Sequence, residues 1–467
     1  MMNQKEFLRY ASPNEQRTIS REDAGFYNAV VVGGVYEFNI DVDLKTPQSF
    51  FHPLTRCILK IPFLNVVVGD KHTDGSFYQR ISNINLNHHI SIVHDSADTD
   101  SAVIQKVLEI EVDKPFPSDV PAWRIVVLPL TSGRCFIAFS FSHTIGDGLS
   151  GPSFHQTFLE ACNALPDVVP PHIVETLPRP LPAPFDTPER LPISWSFLLA
   201  PLIAVLVPKV VAKLLGVQPT TSAVGKGSWT GSRISFDPDA MHSKMRVFEI
   251  KESLVRNAIA VSRKHGAKLT GTIHQLIVRA LSQSLSDPKI INFISQTAIN
   301  MRKSVGIPQD EMGEFASGCY VSHARSSAVG PLTEEEWAAA AESTRKFAAS
   351  AVQLKDQPIG LLRYLPSIRK WTLSKQGEMR DCSYEVSNIG SVDGGADDAD
   401  VKITKMIFTQ PGHVAGAPLT FNIASIKGEG LMCTVTWNPG ALEIAEGEGQ
   451  FVDRVCASLQ EGFNDLA

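Results

Sequence analysis

The chain has 467 residues, of which 43% are hydrophobic and 20% are charged, and its formal net charge is −6 at pH 7. This composition is typical of a globular protein, and the length exceeds what one hydrophobic core usually holds, so we expect two domains. The negative charge and the lack of a long basic run argue against a nucleic-acid surface, and the polar N-terminus has no apolar stretch typical of a secretory signal.

The seven cysteines lie mostly within apolar runs, and none are spaced as CxxC. We therefore expect buried, reduced thiols in a cytoplasmic protein and no zinc site. The neighbouring histidines His88 and His89 are expected to point to opposite faces of a strand, which makes joint metal binding difficult. No metal site is predicted.

The first part of the chain alternates strand-like and helix-like runs. A strand is predicted for Ala29 to Ile40, around a glycine pair, and a helix is predicted to begin at Thr99 or Asp100. The runs AWRIVVLPL and RCFIAFSFS predict two paired strands joined by the turn TSG. The turn HTIGDG follows the second strand, and a helix is predicted next, with Pro152 at its first position.

A crossover between two lobes is predicted from the middle of the chain. Residues 165–190 are rich in proline and favour an extended linker. The segment Leu191 to Gly216 is the most apolar of the chain, but prolines interrupt it, which argues against a membrane span. We interpret it as a helix pair packed on the protein or, alternatively, as a segment that contacts a membrane surface or admits apolar substrates. The division is therefore an N-terminal lobe (1–180), a crossover (181–226) and a C-terminal lobe (227–467).

The C-terminal lobe is predicted to combine helices with a sheet. Thr270 can cap a helix, and Thr333 with Glu336 has the spacing of a capping box. Four strand-like runs follow (YEVSNIG, VKITKMIFTQ, PLTFNIASIKG and LMCTVTWNPG), and a final helix is predicted from about Glu443 to Phe463.

His143 is the first candidate for chemistry, because it stands between an apolar strand and a glycine-flanked turn. An imidazole has a reference pKa near 6.5, which suits proton transfer at neutral pH. Gly146 and Gly148 allow positive φ, so Asp147 can point away from His143, toward an arginine, rather than hold the imidazole. On these residues alone, a core histidine followed by an ordinary Asp-Gly turn is an equal alternative.

The segment HTIGDG resembles the HxxxDG motif of the CoA-dependent acyltransferase and condensation-domain superfamily. The segments WTG, INMRKSVG, MGEFASGCY and YEVSNIG then occur in the order of fungal alcohol acetyltransferase-like members. The DFGWG motif of the plant BAHD branch is missing, and Ser142 stands where condensation domains usually carry a second histidine. The resemblance implies an α/β fold with mixed sheets, in two chloramphenicol-acetyltransferase-like lobes with a channel between them. It also implies that His143 lies mid-channel and that Asp147 pairs with Arg302.

Four further residues are candidates for substrate contacts. Asn388 follows an alternating run and can project from a strand end, so its amide and the N–H of Gly148 are candidate donors to an oxyanion; a turn asparagine is an equal alternative for Asn388. Lys268 and Thr270 lie at a predicted helix N-terminus, which suits a phosphate of CoA. A solvated lysine and an ordinary helix cap are the more conservative interpretation of this pair.

These features favour an acyl-CoA-dependent O-acyltransferase, in which His143 takes the proton from an acceptor hydroxyl. We expect acetyl transfer, a small and largely apolar acceptor of secondary metabolism, and a monomeric cytoplasmic protein with acyl-CoA as co-substrate. A condensation enzyme that forms an amide, a C–C bond or a ring on a free or carrier-bound intermediate is the first alternative. A non-catalytic binding protein of the same fold is the second. The sequence does not define the acceptor or the acyl chain length.

Overall fold

The computed structural model describes residues 4–94, 99–131, 133–164, 170–199, 224–239 and 242–466. Within these ranges the α-helices are α1 (Pro13–Asp23), α2 (Phe51–Lys60), α3 (Asp100–Asp113), α4 (Ser150–Cys162), α5 (Glu252–Lys264), α6 (Leu269–Ser284), α7 (Glu334–Val352), α8 (Ile368–Leu373) and α9 (Glu448–Asn464). The strands are β1 (Lys5–Tyr10), β2 (Val30–Phe38), β3 (Val66–Gly69), β4 (Phe77–Ile81), β5 (Asn83–Asn85), β6 (Ile90–Ile92), β7 (Trp123–Pro129), β8 (Arg134–Phe141), β9 (Ile173–Glu175), β10 (Lys244–Ile250), β11 (Asn292–Asn300), β12 (Ala316–Ala324), β13 (Tyr384–Val392), β14 (Val401–Thr409), β15 (Leu419–Ile426) and β16 (Leu431–Trp437).

Each lobe is built on one large mixed sheet, which confirms the predicted fold class. The N-terminal sheet has the strand order β14-β2-β8-β7-β6, and the C-terminal sheet has the order β10-β16-β15-β13-β11-β12. Parallel pairs join β6 to β7, β11 to β13 and β13 to β15, whereas the other pairs within these two sheets are antiparallel. The smaller sheets β1-β4-β3 and β5-β9 belong to the N-terminal half.

The N-terminal sheet is buried on both faces, which explains why its strands are continuously apolar. Val30 and Val32 of β2 belong to one hydrophobic cluster, while Val31 and Val35, on the opposite face, belong to another. Gly33 is required by space, because a Cβ there would lie 2.2 Å from the ring of Phe136 on β8. The predicted β7–β8 pair is present, and β8 leads directly to His143.

One strand from the C-terminal part of the chain crosses into the sheet of the N-terminal lobe. β14, assigned from the sequence to the C-terminal lobe, pairs with β2 and forms the edge of the N-terminal sheet. Its side chains are buried on both faces, with Phe408 in one hydrophobic cluster and Ile407 in another, so the strand needs cover on two sides. The boundaries at residues 180 and 226 stay predictions.

The C-terminal sheet has one apolar face and one polar face in its central strands. Tyr384 and Val386 of β13 pack into the cluster that contains the helical residues of this lobe. Since side chains alternate along a strand, Glu385 and Ser387 point to the other face, toward the N-terminal lobe. This polar face lies next to the motif turn, as the contacts below show.

Side-chain caps begin four of the nine described α-helices: α1, α3, α7 and α8. Thr99 caps α3, and Thr333 with Glu336 forms the predicted capping box of α7. α6 begins at Leu269 with Lys268 in the capping position, so Thr270 is not its cap. The final helix begins at Glu448 rather than near Glu443, because Glu443 has a left-handed backbone with φ 54°.

The apolar crossover segment falls mostly outside the described residues, which stop at 199 and resume at 224. Within the described part, Leu191 and Leu198 are buried, whereas Trp195 is 81% exposed. No described helix is long and apolar enough to cross a bilayer. Contact of this segment with a membrane surface, and a monomeric state, stay predictions.

Candidate active site

His143 stands in the turn between β8 and α4, at the boundary of the two lobes. The backbone N–H of Ser142 bonds the carbonyl of Ala122, which ends the strand, and α4 begins at Ser150. The glycines of the turn do not have the positive φ that the sequence analysis allowed them. Space is restricted at both positions instead. A Cβ on Gly146 would lie 2.5 Å from Ser150 Oγ, which is too close without a shift, and one on Gly148 would make a tight contact of 3.0 Å with Ile389.

Glu314 is the direct partner of His143. Its carboxylate contacts Nδ1 of the imidazole, and the two residues lie 171 positions apart in the chain. The side chain of Glu314 is 2% exposed, whereas that of His143 is 22% exposed. Among the described residues, none bonds Nε2 of His143. Nδ1 of His143 is therefore hydrogen-bonded, whereas Nε2 has no partner among these residues.

The electrostatics of this pair favour a proton on Nδ1. Burial lowers the pKa of His143, but the Glu314 carboxylate outweighs this effect, so the pKa of the imidazole is raised. Burial raises the pKa of Glu314, and the neighbouring imidazole partly offsets that rise. When Nδ1–H donates to the carboxylate, the lone pair of Nε2 is free to accept a proton.

Asp147 and Arg302 form a buried, bidentate ion pair. Arg302 Nη1 lies 2.8 Å from Asp147 Oδ2, and Nη2 lies 2.8 Å from Oδ1. Arg302 is 0% exposed. The carboxylate of Asp147 thus points at the arginine, which is the direction implied by the sequence resemblance.

The ion pair also fixes the peptide that carries Glu314. The N–H of Asp147 donates to the carbonyl of Gly313 at 3.1 Å, and the N–H of Phe315 donates to Asp147 Oδ2 at 3.0 Å. These two bonds flank Glu314 on either side. Asp147 therefore sets the position of the carboxylate that contacts His143, without touching the imidazole's free nitrogen.

A second polar group lies on the far side of Tyr27. The Tyr27 ring is 5.2 Å from the His143 ring and 5.6 Å from the His413 ring, between centroids. Its hydroxyl donates to Gln410 Oε1 at 2.7 Å. His413 Nδ1 lies 3.5 Å from Glu385 Oε2, which places β13 beside the motif turn.

Burial dominates the electrostatics of this second group. It raises the pKa of Glu385 to about 7, against the opposing effect of Arg21. It lowers the pKa of His413 to about 3, with further lowering from Arg21 and from His143. At neutral pH, His413 is therefore a neutral imidazole and Glu385 is partly protonated.

Two of the remaining candidate residues, Asn388 and Thr270, are hydrogen-bonded to each other. Asn388 Nδ2 donates to Thr270 Oγ1 at 3.1 Å, and Asn388 Oδ1 accepts from the N–H of Gly390 at 2.8 Å. The exposed Lys268 precedes α6, and its N–H donates to Thr344 Oγ1. Gly148 is partly exposed, and among the described residues its N–H has no acceptor. The structure thus brings Thr270 and Asn388 together and leaves Gly148 N–H available.

The sequence reasoning missed Glu314, Glu385 and Tyr27 as parts of the site. No spacing rule connects them to His143, and Glu314 lies within the segment MGEFASGCY, whose resemblance does not single it out. A charged residue between glycine and phenylalanine in an apolar run was the available signal. Within the described ranges, no cluster of three or more His, Cys, Asp or Glu side chains is arranged to hold a metal ion.

Comparisons with known proteins cover nearly the whole chain. The model of the alcohol acetyltransferase family matches residues 45–460. The chain is 21% identical over 421 residues to a probable alcohol acetyltransferase (FCK4) of Fusarium pseudograminearum, across 85% of this chain and 82% of that protein.

Solved structures show the same fold. TRI3 trichothecene 15-O-acetyltransferase from Fusarium sporotrichioides has a TM-score of 0.68 at 10% identity, over 99% of this chain and 95% of that one. A variant of the starter condensation domain of rhizomide synthetase RzmA, in complex with C8-CoA and Leu-SNAC, has a TM-score of 0.61 at 13% identity, over 98% and 94% of the two chains. At these identities the likeness establishes the two-lobed architecture.

Proposed function

The chain belongs to the alcohol acetyltransferase family and is an acyltransferase, and on this basis we propose that it moves an acyl group, acetyl in the first instance, from coenzyme A to a hydroxyl of a small-molecule acceptor, with His143 as general base. The observation that carries the proposal is the pairing of His143 with Glu314, which holds Nδ1 and leaves Nε2 open on a partly exposed ring. The acetyltransferase names of the relatives and the CoA in the condensation-domain complex support the donor.

The chemistry needs one base and one oxyanion site. Nε2 of His143 takes the proton of the acceptor hydroxyl while the oxygen attacks the thioester carbonyl. The resulting tetrahedral centre collapses as the C–S bond breaks, and the imidazolium returns the proton to the departing thiolate. The products are an ester and free CoA, and no covalent acyl-enzyme is required.

Glu314 and Gly148 have distinct parts in this scheme. The carboxylate of Glu314 keeps Nδ1 protonated and stabilises the imidazolium that forms when Nε2 takes a proton. The unbonded N–H of Gly148 is our first candidate for the oxyanion donor. Asn388 is the second, although its Oδ1 is engaged with the turn at Gly390 and one of its N–H groups with Thr270.

For the nucleotide end of CoA we keep Lys268 and Thr270 as candidates. Lys268 is exposed at the start of α6, where free backbone N–H groups and the helix dipole favour a phosphate. Thr270 sits in the first turn of the same helix and accepts the bond from Asn388. These contacts would connect a phosphate site to the end of β13.

A thiol-release assay tests the proposed function. The purified protein is mixed with acetyl-CoA and a panel of alcohols, and both free CoA and the ester product are measured. Acceptor-dependent release with formation of the ester is the expected result, and His143→Ala should abolish it. Two results would contradict O-acyl transfer. One is release of free CoA with amine acceptors but with none of the alcohols, and the other is binding of an alcohol in calorimetry without release of CoA.

A further inference from the structure

Two arginines and one asparagine form an unpaired polar stripe along helix α1. Asn14, Arg17 and Arg21 are spaced by three and four residues, so they lie on one face of the helix. We call these three residues the arginine stripe. Among the described residues, none bonds the side-chain amide of Asn14, and no carboxylate pairs with either guanidinium. Asn14 is 0% exposed, and its Oδ1 and Nδ2 are both buried without a partner, as is Nε of Arg17.

Such an arrangement is costly unless something compensates for it. A buried cation or amide without a partner loses its hydration and gains nothing in return. Burial and the neighbouring Arg21 together lower the pKa of Arg17 to about 10. The guanidiniums of Arg302 and Arg279 each pair with a carboxylate, and that of the buried Arg380 bonds backbone carbonyls. The partly buried Arg17 has neither kind of partner among the described residues.

The two arginines of the stripe lie on the side of the candidate active site. Arg17 is near enough to His143 and Glu314 to influence the pKa of both. Arg21 acts in the same way on Glu385 and His413, across the lobe boundary. The adjacent residue Glu22 accepts a hydrogen bond from Ser142 Oγ, so the end of α1 lies beside the motif turn.

The charges near His143 therefore leave positive potential unbalanced. The two guanidiniums carry two positive charges, whereas the Glu314 carboxylate, which accepts from a neutral imidazole, carries one negative charge. Glu385 is partly protonated at neutral pH because burial raises its pKa to about 7. Neither carboxylate lies within ion-pair distance of the two arginines. An anion placed between the stripe and His143 would supply the missing partner, and guanidinium groups bind carboxylates and phosphates with particular geometric fit.

We propose that Arg17 and Arg21 of the arginine stripe bind an anionic group, a carboxylate or a phosphate, of the acceptor and so place the acceptor hydroxyl at Nε2 of His143. The acceptor class is thus a hydroxy acid or a phosphorylated alcohol, rather than the largely apolar alcohol expected from the sequence. This inference rests on the proposed acyl transfer. The phosphates of CoA are the other source of an anion, but the whole pantetheine arm separates them from the thioester, whereas the stripe acts at His143 itself.

The test compares acids with their neutral esters. The acceptors are 3-hydroxy acids from 3-hydroxybutanoate to 3-hydroxydecanoate, each with its methyl ester, and 3-phosphoglycerate. The variants are Arg17→Met and Arg21→Met, with Arg256→Met as the matched control, since Arg256 is 73% exposed and pairs within its own helix. Kinetics are measured with acetyl-CoA and with S-acetyl-N-acetylcysteamine, a donor without phosphates.

The wild-type protein should prefer at least one of these anions over its neutral counterpart. Loss of one arginine should raise the KM for that anion by about 10- to 150-fold, as expected for a hydrogen bond to a charged group, with little change for the ester. The same rise in the KM for the anion should be measured with S-acetyl-N-acetylcysteamine as donor, because this donor has no phosphates. Equal use of acid and ester by the wild type, an equal loss for both in the variants, or a rise confined to the KM of acetyl-CoA would each overturn the proposal.

Thermal unfolding separates the anion site from the reaction. The preferred anion should raise the Tm of the wild type and of Arg256→Met, but not that of Arg17→Met. Without ligand, Arg17→Met should be as stable as the wild type or more stable, because it removes a partly buried charge that has no acidic partner among the described residues. A large drop in its Tm would identify Arg17 as a structural residue and overturn the proposal. Absence of thiol release with every acceptor, despite an anion-dependent rise in Tm, would contradict the proposed function and leave the anion site standing.

Discussion

The carboxylate of Glu314, from the C-terminal lobe, contacts Nδ1 of His143, from the N-terminal lobe. The imidazole is consequently oriented by a residue from the opposite half of the molecule. Because Asp147 bonds the peptides on both sides of Glu314, the turn that carries His143 also holds the partner that orients it.

Replacing Glu314 with Gln should lower kcat and move the pH profile. Since Glu314 raises the pKa of His143, its loss should lower that pKa, and activity that needs a neutral imidazole should persist to lower pH. The measurement is kcat/KM from pH 5 to 9, with Glu461→Gln, an exposed glutamate, as control. An unshifted profile together with an unchanged kcat would show that the contact has no influence on the base.

Replacing His143 with Ala should leave the fold intact and reduce turnover by at least ~10²-fold, the usual contribution of a general base. The imidazole is 22% exposed and bonds a single carboxylate, so its loss opens little of the core. Thiol release and circular dichroism are the measurements. Turnover near that of the wild type in the folded variant would rule out His143 as the base.

Asp147→Asn and Arg302→Met should both lower stability as well as activity. Each leaves a buried group without its charged partner, which costs about 3–5 kcal/mol. The activity should fall too, because the bonds that flank Glu314 depend on Asp147. Denaturant unfolding of the single and double variants measures the coupling, and additive free-energy losses would mean that the two residues act independently.

Glu385→Gln should change how stability depends on pH. The pKa of Glu385 is raised from 4.5 to about 7, so between these values the folded protein keeps a proton that the unfolded chain has released. The free energy of unfolding therefore falls as pH rises through this window, by an amount on the order of 3 kcal/mol for a fully expressed shift. The variant lacks this loss, so its Tm relative to the wild type should be higher at pH 8 than at pH 4.5. An equal Tm difference at both pH values would contradict a raised pKa.

The sequence predicted the elements that depend on interactions between residues close together in the chain. The capping box of α7, the cap of α3 and the β7–β8 pair follow from residues a few positions apart. The motif resemblance implied the direction of Asp147 toward Arg302. The sequence could not predict Glu314, Tyr27 and the arginine stripe as parts of the site. They come together only when the two lobes pack, and no sequence motif relates their positions to His143.

The crossing of β14 has a consequence for attempts to divide the protein. A fragment that ends near residue 180 would lack β14 and leave the backbone of β2 as an open sheet edge. Exposed edges of this kind recruit other chains, so the fragment should aggregate rather than fold alone. A complementary fragment would in turn carry β14 with both apolar faces uncovered. Although the protein is built on two large sheets, it should unfold cooperatively, with one melting transition for both lobes.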